Sequence, residues 1–319
     1  MLTRGLRAML LAACAMATGL AWAQSGKTLR FVVGYPPGGS GDFVTRTVGE
    51  AIAAELGVTP VIDNRPGAAG NLATEIVVKS TDGATLLVAS NPYINKALYK
   101  KLPYDVEKDL IPVTLLGNGP MIIAVNNNLP VQTIPQLIAY AKKNPGKLNF
   151  ASSGNGSSPH LSGILFNSVA DVDIVHIPFK GGAPAVQSVI AGDTQVIYGT
   201  SPVVLPQVRG GRVRALSITT QKESLAIPGI MGMKEAGLAD YDISFSFGLY
   251  APSSWSAAEV QKVFDAAVKV LKRPEMREKL ATQGMDPAPN ASPADFKAAN
   301  LREAPMWAKL IAASGAKVD

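Results

Sequence analysis

This chain of 319 residues has one cysteine, two histidines and 6% aromatic residues, and each shortage removes a class of function. With Cys14 alone there is no internal disulfide, no thiolate metal centre and no Cys pair for redox work. His160 and His176 are too few and too differently placed for a metal site, so no metal and no cofactor are expected. Beyond the N-terminus no apolar run approaches the roughly 18 to 20 residues that cross a bilayer. Charged residues are only 17% and apolar ones 47%, which excludes a disordered chain. No basic stripe or nucleic-acid module is present, and the densest basic pair, Lys100-Lys101, reads as solvated surface, so no nucleic-acid partner is expected.

What is present begins with a targeting pattern. Arg4 and Arg7 precede a 16-residue apolar run from Ala8 to Ala23 that ends Ala21-Trp22-Ala23, the layout of a secretory signal peptide over residues 1–23. Cleavage after Ala23 is expected. Leu11-Ala12-Ala13-Cys14 resembles a lipobox, but residues 15–23 stay apolar where a lipid-anchored protein continues with a polar tether, so the lipoprotein reading is the weaker one. Removing the segment leaves 28 basic against 24 acidic residues, a net +4 that suits an acidic small ligand without demanding one.

Short buried-type runs alternate with helical periods. Strands are expected at Leu29–Val33, Val61–Asp63, Thr85–Ala89, Met121–Val125, Leu148–Ala151, Ile174–Ile177, Gln195–Gly199, Arg214–Ile218 and Phe245–Ala251. A helix over Asp42–Leu56 carries Phe43, Val44, Val48, Ala51, Ile52 and Leu56 on one face. Ser256-Ala257-Ala258-Glu259 is a capping box, Thr133 an N-cap, and Ser292-Pro293 a helix start. This rhythm predicts an α/β protein with mainly parallel sheets and a crevice beyond the carboxyl ends of the strands. Turn-rich crossings near 125–130 and 237–245 divide it into a first domain of residues 24–125 plus 245–319 and a second of 126–244, clamshell fashion.

Two loops carry the chemistry. Gly34-Tyr35-Pro36-Pro37-Gly38-Gly39-Ser40-Gly41-Asp42 joins the first strand to the first helix. Ala151-Ser152-Ser153-Gly154-Asn155-Gly156-Ser157-Ser158-Pro159-His160 does the same in the other half. Glycines let backbone N–H groups approach a ligand, and a helix N-terminus favours an anion. Hydroxyls add donors without a fixed cation, a cradle for carboxylate, although either loop also reads as an ordinary turn. His176, within an apolar strand, reads as structural; His160 reads equally as ligand donor or scaffold.

Other motifs fail. Gly26-Lys27-Thr28 has Ala21 where a P-loop needs Gly, and Gly154-Asn155-Gly156 has Pro159 where a dinucleotide fingerprint needs its third Gly. Gly156-Ser157-Ser158-Pro159-His160 lacks the last Gly of a nucleophile elbow, which leaves a secreted serine hydrolase using Ser157 or Ser158 as the alternative reading. A structural or adhesive protein is disfavoured by the absence of repeats.

Six segments resemble one family: residues 35–42, then Asp63-Asn64-Arg65-Pro66-Gly67-Ala68-Ala69-Gly70-Asn71, Lys101-Leu102-Pro103-Tyr104-Asp105, Asn144-Pro145-Gly146-Lys147-Leu148-Asn149-Phe150, His176-Ile177-Pro178-Phe179-Lys180-Gly181 and Glu235-Ala236-Gly237-Leu238. In this order they are similar to the tripartite tricarboxylate transporter substrate-binding proteins, the Bug or TctC type. The resemblance implies a two-domain periplasmic-binding-protein fold (type II-like). It also implies a receptor without catalysis that captures a small di- or tricarboxylate or aromatic acid and delivers it to membrane permease subunits, or alternatively reports it to a two-component kinase.

By the same resemblance the protein is expected in the periplasm as a monomer. Carried over residue by residue, ligand contacts fall on Tyr35, Gly39, Ser40 and Asp42 in one loop and on Ser152, Ser153, Gly156, Ser157, Ser158 and His160 in the other, with Ser90, Lys180, Thr200 and Phe247 completing the set. The family commonly has Phe at 35, Thr at 41 and a Trp where Ser246 stands. Ser246, with the hydroxyls of Tyr35, Tyr198 and Thr200, is therefore expected to make the far end of the pocket larger or more polar.

Overall fold

The computed structural model describes residues 27–314. The expected signal segment, its cleavage point and Cys14 lie outside the described residues. Nine strands are present among them: β1 (Thr28–Val33), β2 (Thr59–Asn64), β3 (Thr85–Ala89), β4 (Leu110–Val125), β5 (Asn149–Ser152), β6 (Val175–Pro178), β7 (Val196–Thr200), β8 (Arg214–Ile218) and β9 (Ser244–Pro252). All nine expected strands are there, most within a residue or two of the expected ends. The exception is β4, which starts eleven residues before the expected Met121.

The strand order is β2-β1-β3-β9-β4-β7-β5-β6, with β8 also on β4. β1 runs parallel to β2 and β3, and β5 runs parallel to β6 and β7. Every antiparallel pair involves β4 or β9. The parallel expectation thus describes the βα units, and the two crossing strands make the sheet mixed. β4 pairs with β9 from Leu110 opposite Pro252 to Pro120 opposite Ser244, then with β7 and β8 from Met121 to Val125.

That change of partner falls at Pro120/Met121, ahead of the expected crossing near 125–130. Met121–Val125, which the sequence reading grouped with the first half, is hydrogen-bonded on both sides to strands of the second. An apolar run reports burial, not which strands flank it. Register shifts after Pro112, Leu115 and Ile123 bend the strand along its length, as bulges do.

The helices cover both faces: α1 (40–56), α2 (Asn71–Val78), α3 (Ile134–Lys143), α4 (Ser158–Ala170), α5 (Gly182–Ala191), α6 (Ser201–Arg209), α7 (Ala257–Leu271), α8 (Pro274–Ala281) and α9 (Pro293–Ser314). α1 contains a π-helical stretch, Thr45–Gly49, between two α-helical segments, and ends at Gly57 in the left-handed conformation. Its buried stripe of Val44, Val48, Ile52 and Ala53 packs in one cluster with Phe31 and Leu86. Each such fully buried aliphatic or aromatic side chain contributes about 1.5 to 3 kcal/mol. The expected capping box on α7 and the Thr133 cap on α3 are both formed. No helix among the described residues is long and apolar enough to cross a membrane.

Candidate binding site

Because β1, β2 and β3 are parallel, their carboxyl ends open at one edge, and the loops that follow them (34–41, 65–70 and 90–95) gather there. β5, β6 and β7 do the same with residues 153–158, 179–182 and 200–203. The start of β9 comes alongside the end of β3, Gly248 opposite Ala89, and brings Phe245, Ser246 and Phe247 to the same place. All these segments line one cavity of about 560 Å³. That volume is in the range of small-molecule sites, and the position is the one a parallel α/β sheet favours.

The lining mixes apolar surface with many hydroxyl and amide groups and is almost uncharged. Lys180, exposed at the rim, is the only charged side chain on it among the described residues, and no carboxylate faces in. The donors come from hydroxyls, amides and helix starts. α1, α2, α5 and α6 begin behind Gly39, Gly70, Gly181 and Thr200, and none of these N-cap positions supplies a side-chain hydrogen bond. α3 and α7, whose first residues do not line the cavity, are capped by Thr133 and Ser256. A helix start without a cap leaves N–H groups unspent and carries partial positive charge, so four starts around one cavity form an anion site built from dipoles.

α4 is the variation. Ser157 caps it, accepting the His160 N–H at 3.3 Å while donating to the Gly154 carbonyl at 2.7 Å. Ser157 and Ser158 both remain on the lining. Across the cavity the Ser40 hydroxyl meets that of Thr200 at 2.7 Å, so the Thr200 hydroxyl is turned away from capping its own helix.

Tyr35 forms part of the wall. Its ring stands edge-on to Phe247 with centroids 5.4 Å apart, and its hydroxyl accepts the Ser90 N–H at 3.1 Å. Burial pushes its phenol up despite that bond, so it stays protonated. Gly41 makes this placement possible, because a Cβ there would lie 2.4 Å from Cδ2 of the ring.

Of the expected contact residues, Tyr35, Gly39, Ser40, Ser90, Ser153, Gly156, Ser157, Ser158, Lys180, Thr200 and Phe247 line the cavity. Asp42, Ser152 and His160 do not, and each shapes the wall from behind. Asp42 is buried; it accepts the Gly38 N–H at 3.0 Å and pairs with Arg46 at 3.0 Å. Burial alone would raise its carboxyl, but the bonds from Arg46 and Gly38 outweigh burial and hold it below the usual range.

His160 is buried, and its Nδ1 accepts the Gly156 N–H at 3.1 Å, which sets the Ser-rich loop. His176 stacks on His160 with centroids 4.0 Å apart, and its Nε2 lies 2.6 Å from the Ser152 hydroxyl. Burial pushes His160 down to about 4; burial and its histidine neighbour push His176 down to about 3, so both rings are neutral at neutral pH. Tyr198, expected to add a hydroxyl to the pocket, is fully buried against Phe150 and Phe166. It sits two residues deeper on β7 than Thr200, inside the core rather than at the strand end.

The hydrolase arrangement is absent among the described residues. Ser157 is spent as a helix cap, and neither histidine ring is hydrogen-bonded to a carboxylate. No group of three or more His, Cys, Asp or Glu is placed to hold a metal among them. Lining residues that were not among the expected contacts include the 66–70 loop, Asn91, Asn95, Tyr99, Asn155, Gly181 and Val203. The rule applied to residues 34–42 finds Gly67-Ala68-Ala69-Gly70 as well, since it too joins a strand to a helix.

The fold and this cavity are those of a solute-binding receptor. The chain belongs to the tripartite tricarboxylate transporter family of receptors, whose family model (TctC) matches residues 44–315. It is 31% identical over 296 residues to protein BugT of Bordetella pertussis, covering 92% of this chain and 90% of that one. Among solved structures it is similar to R. palustris Rpa4515 with adipate, with a TM-score of 0.87, 28% identity and coverage of 92% and 98%. It is similar also to MatC from Rhodopseudomonas palustris with bound malate, with a TM-score of 0.82, 28% identity and coverage of 89% and 99%.

Proposed function

We propose that the protein captures a small carboxylate in this cavity and presents it to the permease subunits of a tripartite transporter. The observation that carries this reading is the convergence of four uncapped helix starts and a set of hydroxyls on a cavity with no acidic side chain. Such a site rewards negative charge through fixed dipoles, and a carboxylate exchanges its hydration for several short N–H and O–H donors. The adipate and malate bound by the similar receptors favour the same ligand chemistry.

In this reading residues 24–120 with 245–319 and residues 121–244 act as two lobes, the expected boundary at 125 moving to the hinge where β4 passes from β9 to β7. Ligand contacts to the loops of both lobes drive closure. The mature receptor works as a monomer in the periplasm after cleavage behind Ala23, without a lipid on Cys14.

A thermal-shift screen of refolded, ligand-stripped protein tests the function. A ligand at about 100 times its dissociation constant adds about 2.7 kcal/mol, enough to raise the melting midpoint by several degrees. A saturable shift with a set of carboxylates supports the proposal; shifts with amines or sugars and none with acids would overturn it.

A further inference from the structure

The chain has only two histidines, and they meet behind the Ser-rich loop. Phe150 and Ser152 lie on one face of β5, and β6 brings His176 into register beside Phe150. The His176 ring stacks on Phe150, with centroids 4.9 Å apart, and on His160, with centroids 4.0 Å apart, so packing fixes its plane. That orientation aims Nε2 at the hydroxyl of Ser152, a fully buried residue.

The hydrogen bonds around Gly154 decide which way this contact runs. The Gly154 carbonyl accepts from the Ser157 hydroxyl at 2.7 Å and from the Ser157 N–H at 3.2 Å, which occupies both lone pairs. The Gly154 N–H donates to Ser152 Oγ at 3.1 Å. The Ser152 proton then has two places to go, the crowded Gly154 carbonyl at 3.3 Å or His176 Nε2 at 2.6 Å, and the nearer, unoccupied acceptor wins.

Both rings are neutral at neutral pH. His176, accepting on Nε2, carries its proton on Nδ1. His160 is the opposite case: its Nδ1 accepts the Gly156 N–H at 3.1 Å, which leaves the proton on Nε2. Gly154 and Gly156 are held at φ of 123° and 75°, with their N–H groups turned back onto Ser152 and His160. Residues 153–159 line the cavity, so the direction of these two peptides sets the surface that a ligand meets.

We propose that His176 is a positioning residue for ligand capture: by accepting the Ser152 proton it keeps Ser152 Oγ turned to the Gly154 N–H, and with His160, in the opposite tautomer, it holds the Ser-rich loop in its binding geometry. The inference rests on the carboxylate reading above and gives a part in binding to a ring that lies off the cavity lining.

Two measurements test it. Long-range proton–nitrogen-15 correlation spectra of the ligand-free protein at neutral pH read the tautomers, and the one ring left in His176→Gln assigns both. The second is calorimetric titration of ligand-stripped protein with adipate and with malate. His176→Phe keeps an aromatic ring for the stack and removes the acceptor, His176→Gln places an amide oxygen near the position of Nε2, and Ser152→Ala removes the donor. Unfolding curves of the ligand-free variants check the fold.

The spectra are expected to show Nδ1–H on His176 and Nε2–H on His160. His176→Phe is expected to weaken the better of the two acids by about threefold to tenfold, the worth of one neutral hydrogen bond, and His176→Gln to recover most of that loss. Ser152→Ala should lose as much, and adding His176→Phe to it should cost little more. A ring that only fills space would instead give His176→Gln the larger loss and make the losses additive. Matching tautomers in the wild type, or a folded His176→Phe that binds as the wild type does, overturns this proposal and leaves the carboxylate receptor intact. A wild type that binds neither acid overturns the carboxylate reading and the binding role of His176 with it.

Discussion

The hydroxyls of Ser40 and Thr200 meet at 2.7 Å, and they belong to different hydrogen-bonded groups of strands. Ser40 opens α1 after β1, and Thr200 ends β7. The bond therefore joins the two sides of the cavity. Ser40→Ala and Thr200→Val, alone and together, are expected to show a coupling of about 0.5 to 1.5 kcal/mol in urea unfolding of ligand-free protein, the net worth of a neutral hydrogen bond. Strict additivity would mean that the two hydroxyls do not hold the sides together.

Gly41 and Tyr35 form a second pair with a definite outcome. Gly41→Ala places a Cβ against the Tyr35 ring, and the ring must leave its seat beside Phe247 and its bond to Ser90. The expected loss is roughly 1 to 3 kcal/mol, as for other overpacked sites. Adding Tyr35→Ala should recover part of it, whereas Tyr35→Phe alone should lose only about 1 kcal/mol because the ring packing survives. Thermal unfolding of the four proteins checks the order. An unaltered Gly41→Ala would contradict the packing.

The proposed closure can be tested at Gly156. It adopts a φ of 75°, and a Cβ there would come within 2.3 Å of Leu98, which follows β3 on the opposite side of the cavity. Gly156→Ala is expected to remain folded by circular dichroism yet lose most of its ligand affinity, and Leu98→Ala should restore part of it. Small-angle scattering of Gly156→Ala with ligand should give the larger radius of the open form. A compact variant that binds ligand normally would show that this contact does not govern closure.

The two histidines make the protein acid-sensitive above the carboxylate range. Their folded values, about 4 for His160 and about 3 for His176, lie below the ordinary imidazole value near 6.5, so the unfolded chain takes up protons first as pH falls. Their contribution to stability is whole above about 6.5, declines below it, and is fully lost only beneath the folded values. Asp42, also lowered in the fold, adds a loss once the pH drops through the ordinary carboxylate range toward its folded value.

The melting midpoint should accordingly be flat above about pH 6.5 and fall from there toward about 4. His160→Asn offers the Gly156 N–H an acceptor that does not titrate, and should make the fall shallower. An unchanged slope would remove His160 from the account.

Much of this fold is legible in the sequence because its βα units repeat one local signal, a short apolar run followed by a capped or glycine-led helix. Thr85–Ala89 and Arg214–Ile218 were readable to the residue. β4 was not, because Thr114, Gly117, Asn118 and Gly119 break the apolar pattern of its first part, and pairing with β9 holds it extended despite that.

The two loops that line the cavity were legible by the same logic, as glycine- and serine-rich joins between strand and helix, although the sequence left each open to reading as an ordinary turn. Asp42, Ser152 and His160 belong to those loops in sequence but turn behind them in space, a distinction only side-chain direction makes. Asn91 was missed for the opposite reason: a lone Asn before Pro92 reads as a turn, and only the fold brings it to the lining.

The central claim is that fixed neutral dipoles, not a charged side chain, hold a carboxylate in this cavity. Its most direct measurement is calorimetric titration of the stripped receptor with the best carboxylate from the screen and with the matching amide, for the wild type and for Lys180→Gln. The account predicts saturable one-to-one binding of the acid, loss of at least about tenfold for the amide, and little change on removing Lys180, because helix starts and hydroxyls carry the recognition. Equal affinity for acid and amide, or binding that vanishes with Lys180, would contradict it.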